Sequence, residues 1–260
     1  MKANRFQWGL LILLLASAIG GVAASFPFIL TVYADKLANA PLPLPVVLAL
    51  GLLQNAVILG VLIGVGLLLT AKLGLPGAPL IEDWRAGKSI ADKLRALIQP
   101  ALMTGLGVGI AVLLMFSLLL QKELPQLPVG KAALMPVWKR LLLCFYGGVT
   151  EEIMMRIFLF SLLAWLLSKV WRSVDGAPDR KVLWAANIIL AVLFGLGHLA
   201  SVIPLMPITF NLVLGALLLN SVASIAFTTL YLRRGLEASV IAHFIADFMI
   251  WVIGPSLILR

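Results

Sequence analysis

The chain has 260 residues, of which 62% are hydrophobic and only 12% are charged. A soluble domain is closer to half apolar and one quarter charged, so this composition excludes an ordinary soluble fold. Several apolar runs exceed about 18 residues, the length of a membrane-spanning helix. Because lipid tolerates only helices and closed barrels, we predict an all-α polytopic membrane protein with its helices in one bundle.

The formal net charge of +9 would suggest a nucleic-acid partner if the protein were soluble. Here the basic residues stand in loops beside apolar runs, where they set orientation and meet anionic lipid. We therefore expect the lipid bilayer as a partner and no nucleic acid. The single cysteine, Cys144, lies inside an apolar run and has no second cysteine with which to form an internal disulfide.

Seven membrane spans are predicted, and an eighth follows if the fourth segment divides. The first apolar run follows Lys2 and Arg5 and resembles a signal peptide, but it is longer than the apolar region of one, so we predict a retained span. The predicted spans cover residues 9–33, 45–70, 101–121, 137–171, 182–202, 210–232 and 236–257.

The fourth predicted span is too long for one straight crossing. About 35 residues of helix reach roughly 50 Å, whereas the bilayer core is about 30 Å thick. Gly147-Gly148 predicts a bend, and Thr150 is placed to cap a helix that begins at Glu151. The dipole of such a helix would favour ionised glutamates near its start.

The linker at residues 71–99 differs from the spans in composition. From Trp84 to Ile98 the apolar residues fall on one helical face, which predicts a helix lying in the membrane interface. In the third span, Gly105-x-Gly107-x-Gly109 follows no strand, so we interpret it as a site of close helix packing rather than a nucleotide loop.

The distribution of basic residues predicts the orientation. With the N-terminus in the cytoplasm, thirteen Lys and Arg residues fall in cytoplasmic segments and six in external ones, which agrees with the positive-inside rule. The thirteen are Lys2, Arg5, Lys72, Arg85, Lys88, Lys93, Arg95, Lys169, Arg172, Arg180, Lys181, Arg233 and Arg234. The six are Lys36, Lys122, Lys131, Lys139, Arg140 and Arg260.

Ionisable residues inside the predicted spans are few. In the fourth span, Arg156 stands four residues after Glu152 on the same helical face, which predicts an ion pair. Glu151 lies about 100° round the helix, so it is not part of this ion pair and its carboxylate is available for another function. The alternative is that all three residues serve only to hold two helices together.

Two histidines lie in other spans. His198 is in the fifth, and His243 is in the seventh, four residues before Asp247 and on its face. A carboxylate and histidines are the groups needed to activate water. For each histidine alone, an interhelical hydrogen bond is an equally simple role. Ideal straight helices would also place His198 and His243 at different depths in the membrane.

Three motifs in order resemble the CPBP family of intramembrane proteases, which includes Rce1-type CAAX prenyl endopeptidases and the Abi proteins. They are Glu-Glu-x-x-x-Arg at Glu151, Glu152 and Arg156, Phe-x-x-x-His at Phe194 and His198, and His-x-x-x-Asp at His243 and Asp247. Many family members have asparagine at the last position.

The resemblance implies roles for these residues. It implies that Glu151 and His198 activate water, that Arg156 pairs with a glutamate and that His243 helps to hold the oxyanion. An ionised Asp247 cannot donate to an oxyanion, so it orients His243 or is protonated. We expect metal-free chemistry, with zinc held by His198, His243 and Glu151 or Asp247 as the alternative.

We thus expect two parts in the chain. Residues 1–136 form N-terminal transmembrane helices with the interfacial linker at 71–99, and residues 137–260 form a CPBP-like catalytic core. The function expected is hydrolysis of a peptide bond in a membrane-associated peptide or protein tail, either a prenylated CAAX-type tail or a bacteriocin-like or pheromone-like peptide. We expect the membrane of a bacterial or archaeal cell. The alternatives are a proton-coupled transporter that uses the same residues as a relay, or a catalytically silent immunity or scaffold protein.

Overall fold

A computed structural model describes residues 7–171 and 177–258 of the chain. In these ranges it has seven long apolar helices packed in one bundle, as predicted. Each is long and apolar enough to cross a membrane, and we refer to them as spans one to seven. Their bounds are Trp8–Val32, Leu44–Leu73, Ala91–Leu119, Val137–Val170, Arg180–Val202, Phe210–Arg234 and Leu236–Leu257.

The span ends follow ordinary capping rules. Span two is capped at its C-terminal end by Gly74, whose φ of 64° lies in the left-handed region that glycine adopts most easily. Span five begins after Asp179, whose side chain accepts a 2.8 Å hydrogen bond from Val182 N. Span six begins after Thr209, whose hydroxyl accepts a 3.2 Å bond from Leu212 N in the same way.

Three short helices connect the spans, at Ala34–Ala38, Pro79–Arg85 and Pro128–Ala132. The prediction of one interfacial helix from Trp84 to Ile98 is wrong. A helix ends at Arg85, and residues from Ala91 onward belong to span three, which continues through Pro100. Proline removes one backbone donor but leaves the rest of the helix, so the amphipathic start and the apolar part join in one element.

Span four is one continuous helix and does not divide at Gly147-Gly148. The middle of the helix is π-helical over Tyr146–Glu151 and Ile153–Phe160, between α-helical ends. The wider π turn is rare and often found at functional sites. The predicted cap is also wrong, because Thr150 is buried and donates a 2.8 Å hydrogen bond to the carbonyl of Ala18 in span one.

The glycines at this point allow close packing against span seven. A Cβ atom on Gly148 would lie 2.9 Å from the Cβ of Phe244, so only glycine lets span seven approach this closely. In span three, Gly105 and Gly109 meet span seven in the same way, as predicted, while nothing lies within 4 Å of the Cβ position of Gly107.

Contacts between residues distant in sequence show which of the segments between spans lie at the same end of the bundle. These segments form two groups, one at each end. At one end, Leu236 N donates to Gly77 O at 2.9 Å, and the ammonium groups of Lys72 and Lys169 both lie over the ring of Trp165. We call this the basic end; it comprises residues 71–90, 165–171, 177–181 and 233–237.

At the other end, the hydroxyl of Tyr33 donates a 2.7 Å hydrogen bond to the carbonyl of Ser201. Lys139 donates to Thr31 at 2.9 Å, and Phe28 packs edge-on against Trp251. We call this the opposite end; it comprises residues 33–43, 120–136, 201–209 and 251–258. The grouping agrees with seven crossings in alternating directions. Of the residues used to predict orientation, Lys2, Arg5, Arg172 and Arg260 lie outside the described ranges.

Two apolar cores meet along the axis of the bundle. One is formed largely by spans one, two and four, and the other by spans three, six and seven. Span four contacts spans one, two, five and seven, so it is the central helix. The ionisable residues of span four therefore lie where the two cores face each other.

Candidate active site

Glu152 and Arg156 form the ion pair that their spacing predicts. Arg156 Nε donates to Glu152 Oε2 at 2.8 Å, and Arg156 Nη2 donates to Glu152 Oε1 at 2.9 Å. Both side chains are completely buried. Such a two-pronged contact between guanidinium and carboxylate satisfies charge and geometry together, and breaking it would leave a buried charge without a partner.

Span six supplies further partners that the sequence analysis did not identify. Arg156 Nη1 donates to Thr228 Oγ1 at 2.7 Å and lies 3.3 Å from Ser224 Oγ. Both residues are fully buried, and they stand four apart on one face of an apolar helix. That spacing of two hydroxyls in a span is itself a signal of interhelical hydrogen bonding, and it could have been used.

Glu152 also holds the imidazole of His243 in span seven. His243 Nδ1 lies 2.9 Å from Glu152 Oε1. Because the carboxylate of Glu152 is paired with Arg156, it accepts, and Nδ1 is the donor. The ring of His243 stacks on Phe227, with centroids 4.7 Å apart and planes 25° apart. Hydrogen bonding and stacking together fix the orientation of this imidazole.

The other nitrogen of His243 faces two further carboxylates. His243 Nε2 lies 3.9 Å from Glu151 Oε2 and 3.8 Å from Asp247 Oδ1, both beyond direct hydrogen-bonding distance. The hydrogen bond that orients the imidazole of His243 is therefore the one that Nδ1 donates to Glu152, while the alternative that Asp247 is protonated stays a prediction. A Cβ atom on Gly147 would collide with Asp247 Oδ2, so glycine at this position makes room for the carboxylate.

His198 lies nearer to the opposite end than His243. Its Nδ1 is 2.9 Å from the carbonyl oxygen of Phe194, which can only accept, so Nδ1 donates and Nε2 is left with its lone pair when the ring is neutral. Phe194 stands between the two imidazoles, with ring centroids 4.5 Å from His198 and 6.3 Å from His243. The ring of Phe194 thus lies between the two histidines that the sequence analysis expects at different depths.

One cavity of about 670 Å³ brings these residues together. Its lining includes the predicted residues Glu151, His198, His243, Asp247 and Phe194. Glu152 and Arg156 do not line it, because they are buried behind His243. The side chain of Glu151 keeps 16% of its surface exposed, whereas that of Glu152 keeps none. The two neighbouring glutamates therefore have different surroundings.

These residues as arranged do not fit a zinc ion. Zinc needs three or four ligand atoms at about 2.0–2.2 Å from one point. In the part of the chain that the structure describes, no group of three His, Cys, Asp or Glu side chains is placed to hold a metal ion.

Comparison with known proteins assigns this part of the chain to a family. The family model of the Rce1-like type II CAAX prenyl endopeptidases, which are proteases, matches residues 133–249. Every residue described above as part of the site lies within that range. Comparisons with curated proteins and with solved structures gave no significant match.

Proposed function

We propose that this member of the Rce1-like CAAX prenyl endopeptidase family is an intramembrane endopeptidase that activates water with Glu151 and the two histidines. Family membership implies a peptide substrate, and the substrate proposed is a peptide or protein tail at the membrane. One observation carries the proposal. His243 is fixed by an ion-paired glutamate on one nitrogen, and its other nitrogen faces Glu151 at the wall of a cavity.

Glu151 is the proposed general base. It is the carboxylate of the Glu151–Glu152 pair that is partly exposed and lines the cavity. A water between Glu151 and a peptide carbonyl would lose one proton to the carboxylate as its oxygen bonds to the carbonyl carbon. His198, whose Nε2 is free to accept, is proposed to hold the same water.

His243 is proposed to stabilise the oxyanion. When both ring nitrogens carry protons, Nδ1–H remains bonded to Glu152, and Nε2–H points towards Glu151 and Asp247 beside the cavity. There it would donate to the negative oxygen of the tetrahedral intermediate. Preorganisation is the main benefit of such a donor, and here Arg156, Glu152 and Phe227 supply it.

The same proton completes the reaction. When the carbon–nitrogen bond breaks, Glu151 in its acid form returns the proton to the leaving amine, and the products are a carboxylic acid and an amine. Asp247 lies 3.8 Å from His243 Nε2 and is proposed to act on the charge of that ring without bonding to it directly. No step requires a metal ion.

The N-terminal part, residues 1–136, is proposed to build the cavity wall around a catalytic core at 137–260. Spans one and three contribute mostly apolar lining residues and span two contributes Gly51 and Asn55, while the ionisable site residues come from spans four, five and seven. The described lining residues reach only one end of the bundle. A transporter relay would link both ends, so the cavity favours a catalytic site over the transporter alternative.

The test compares cells that express the parent protein with cells that express Glu151→Gln. New peptide termini in the membrane and secreted fractions are identified by mass spectrometry. We expect termini that appear with the parent and vanish with Glu151→Gln. Glu123→Gln is the matched control, because Glu123 lies outside the cavity and should leave cleavage unchanged. Identical termini in the parent and Glu151→Gln would refute the proposal.

A further inference from the structure

The cavity reaches only one end of the bundle. Beyond the site its lining continues along the outer halves of the spans to Tyr33, Ser201 and the segment 127–129, all at the opposite end. None of the described lining residues comes from segments 8–21, 56–107, 160–192 or 228–242, which lead to the basic end. The described lining therefore leads from Glu151 towards the opposite end of the bundle and includes no residue of the basic end.

The distribution of basic residues indicates which end faces the cytoplasm. In the described ranges, ten Lys and Arg residues lie at or near the basic end and five near the opposite end, with Arg156 buried between them. The ten are Lys72, Arg85, Lys88, Lys93, Arg95, Lys169, Arg180, Lys181, Arg233 and Arg234, and the five are Lys36, Lys122, Lys131, Lys139 and Arg140. By the positive-inside rule the basic end is cytoplasmic.

The chemistry of the lining limits what can bind. Most of the lining is apolar, with uncharged polar groups at Asn55 and Asn220. Among the lining residues that the structure describes, none is Lys or Arg, while Glu151 and Asp247 both carry carboxyl groups. An acidic side chain near the scissile bond would face these two carboxyl groups, and the described lining offers no Lys or Arg to compensate, which disfavours binding.

We infer that the substrate is a largely apolar peptide segment without acidic side chains near the scissile bond, and that it enters from the extracytoplasmic face of the membrane. This inference rests on the proposed function, and it narrows the substrate to an exported peptide or to the extracytoplasmic part of a membrane protein. A tail that stays in the cytoplasm would meet the basic end of the bundle, and no described residue of that end lines the cavity that holds Glu151.

Access is tested first, without any substrate, by cysteine labelling. Cys144 is buried and is the only cysteine of the chain, so Cys144→Ser gives a background for single cysteines. Ala223→Cys places a thiol in the cavity, while Leu134→Cys and Ala86→Cys mark the opposite and basic ends. Each variant is treated with a membrane-impermeant methanethiosulfonate, in intact cells and in inverted vesicles.

We expect Leu134→Cys and Ala223→Cys to react in intact cells and Ala86→Cys to react only in inverted vesicles. A cationic reagent should modify Ala223→Cys about tenfold faster than an anionic one, because the carboxylates attract it. Reaction of Ala223→Cys only from the vesicle side, or from neither side, would overturn the inference. Ala216→Cys, which also lines the cavity, repeats the test if Ala223→Cys does not fold.

Substrate location is tested in a second arm. The termini that depend on Glu151 are sorted by the compartment of the segment that was cut and by its charge. Cuts in apolar extracytoplasmic segments support the inference, and cuts confined to cytoplasmic tails overturn it while leaving the proposed function intact. Absence of Glu151-dependent cuts refutes the proposed function, whereas the labelling result then still reports on access.

Discussion

Glu151 and Glu152 are neighbours in the chain, yet they face different regions of the molecule. Glu152 is fully buried, accepts hydrogen bonds from Arg156 and His243, and has no contact with the cavity. Glu151 lines the cavity, keeps part of its surface exposed and lies 3.9 Å from His243 Nε2. One residue of offset on a helix thus separates a buried carboxylate that holds Arg156 and His243 from a carboxylate that faces the cavity.

The difference follows from what each region must satisfy. A buried charge needs all of its partners, so the surroundings of Glu152 are rigid. They involve spans four, six and seven, through Arg156, Thr228 and His243. A general base must instead reach water and substrate, so its partners come from outside the protein. Substitutions of the buried residues around Glu152 should therefore lower the stability of the fold. Substitutions of residues that line the cavity, such as Glu151, should lower the cleavage rate.

The largest effect is expected for Arg156→Ala. It removes both hydrogen bonds to Glu152 and strands a fully buried carboxylate, which typically costs about 3–5 kcal/mol of folding free energy. The melting temperature in detergent should fall markedly, together with activity. Lys122→Ala, which removes an exposed cation, should change stability by no more than about 0.5 kcal/mol.

A double variant sharpens the same comparison. Glu152→Leu with Arg156→Met removes both charges, so the stability lost in Arg156→Ala should largely return. Activity should stay low, because His243 has then lost the acceptor of its Nδ1–H. Equal melting temperatures of Arg156→Ala and the parent would show that Glu152 does not depend on this partner.

A smaller effect is expected for Thr228→Val. Valine has nearly the same shape as threonine but cannot accept the 2.7 Å hydrogen bond from Arg156 Nη1, and a bond to a charged group is worth about 1.5–3 kcal/mol. Thr228→Ser should retain most of the stability. Thr229→Val is the matched control, because that hydroxyl bonds only to Ile225 O of its own helix. Equal losses for Thr228→Val and Thr229→Val would exclude a special role for Thr228.

Gly147→Ala is expected to affect both stability and activity, because Gly147 lies between the buried partners of Glu152 and the cavity. The added methyl group would collide with Asp247 and come within 3.2 Å of His243 Nε2, and overpacking of this kind costs about 1–3 kcal/mol. Activity should fall more than stability, since the displaced groups lie beside the cavity. Gly107→Ala should be neutral or stabilising, because nothing lies within 4 Å of that Cβ position. The measurements are the melting temperatures and cleavage rates of both variants. A Gly147→Ala variant that matches Gly107→Ala in both would contradict the prediction.

The fold could be predicted largely from the sequence because the apolar runs are long. Seven spans and the Glu152–Arg156 pair follow from length and from an i,i+4 spacing, which are local features. The prediction that Thr150 caps a helix beginning at Glu151 was wrong because its hydroxyl bonds to the carbonyl of Ala18 in span one, which is a tertiary contact. For the same reason the sequence could not show that Glu152, and not Asp247, orients His243.

The position of the cavity could not be predicted either. His198 and His243 were expected at different depths, and sequence spacing could not reveal that the ring of Phe194 would stand between them. Ser224 and Thr228 went unnoticed because hydroxyls in a span are common, and only the position of Arg156 makes these two important. Which end of the bundle the cavity reaches depends on the packing of all seven spans.

The smallest effect is expected from a strong metal chelator. Zinc would require ligand atoms converging at about 2.0–2.2 Å, whereas His243 Nε2 lies 3.8–3.9 Å from its two nearest carboxylate oxygens across the cavity wall. The purified protein should therefore keep both its cleavage rate and its melting temperature when the chelator is added. Loss of activity that zinc restores would instead recast His198, His243 and Glu151 or Asp247 as ligands. A fall in melting temperature reversed by zinc would lead to the same conclusion without any substrate, because a bound metal stabilises the folded state that holds it.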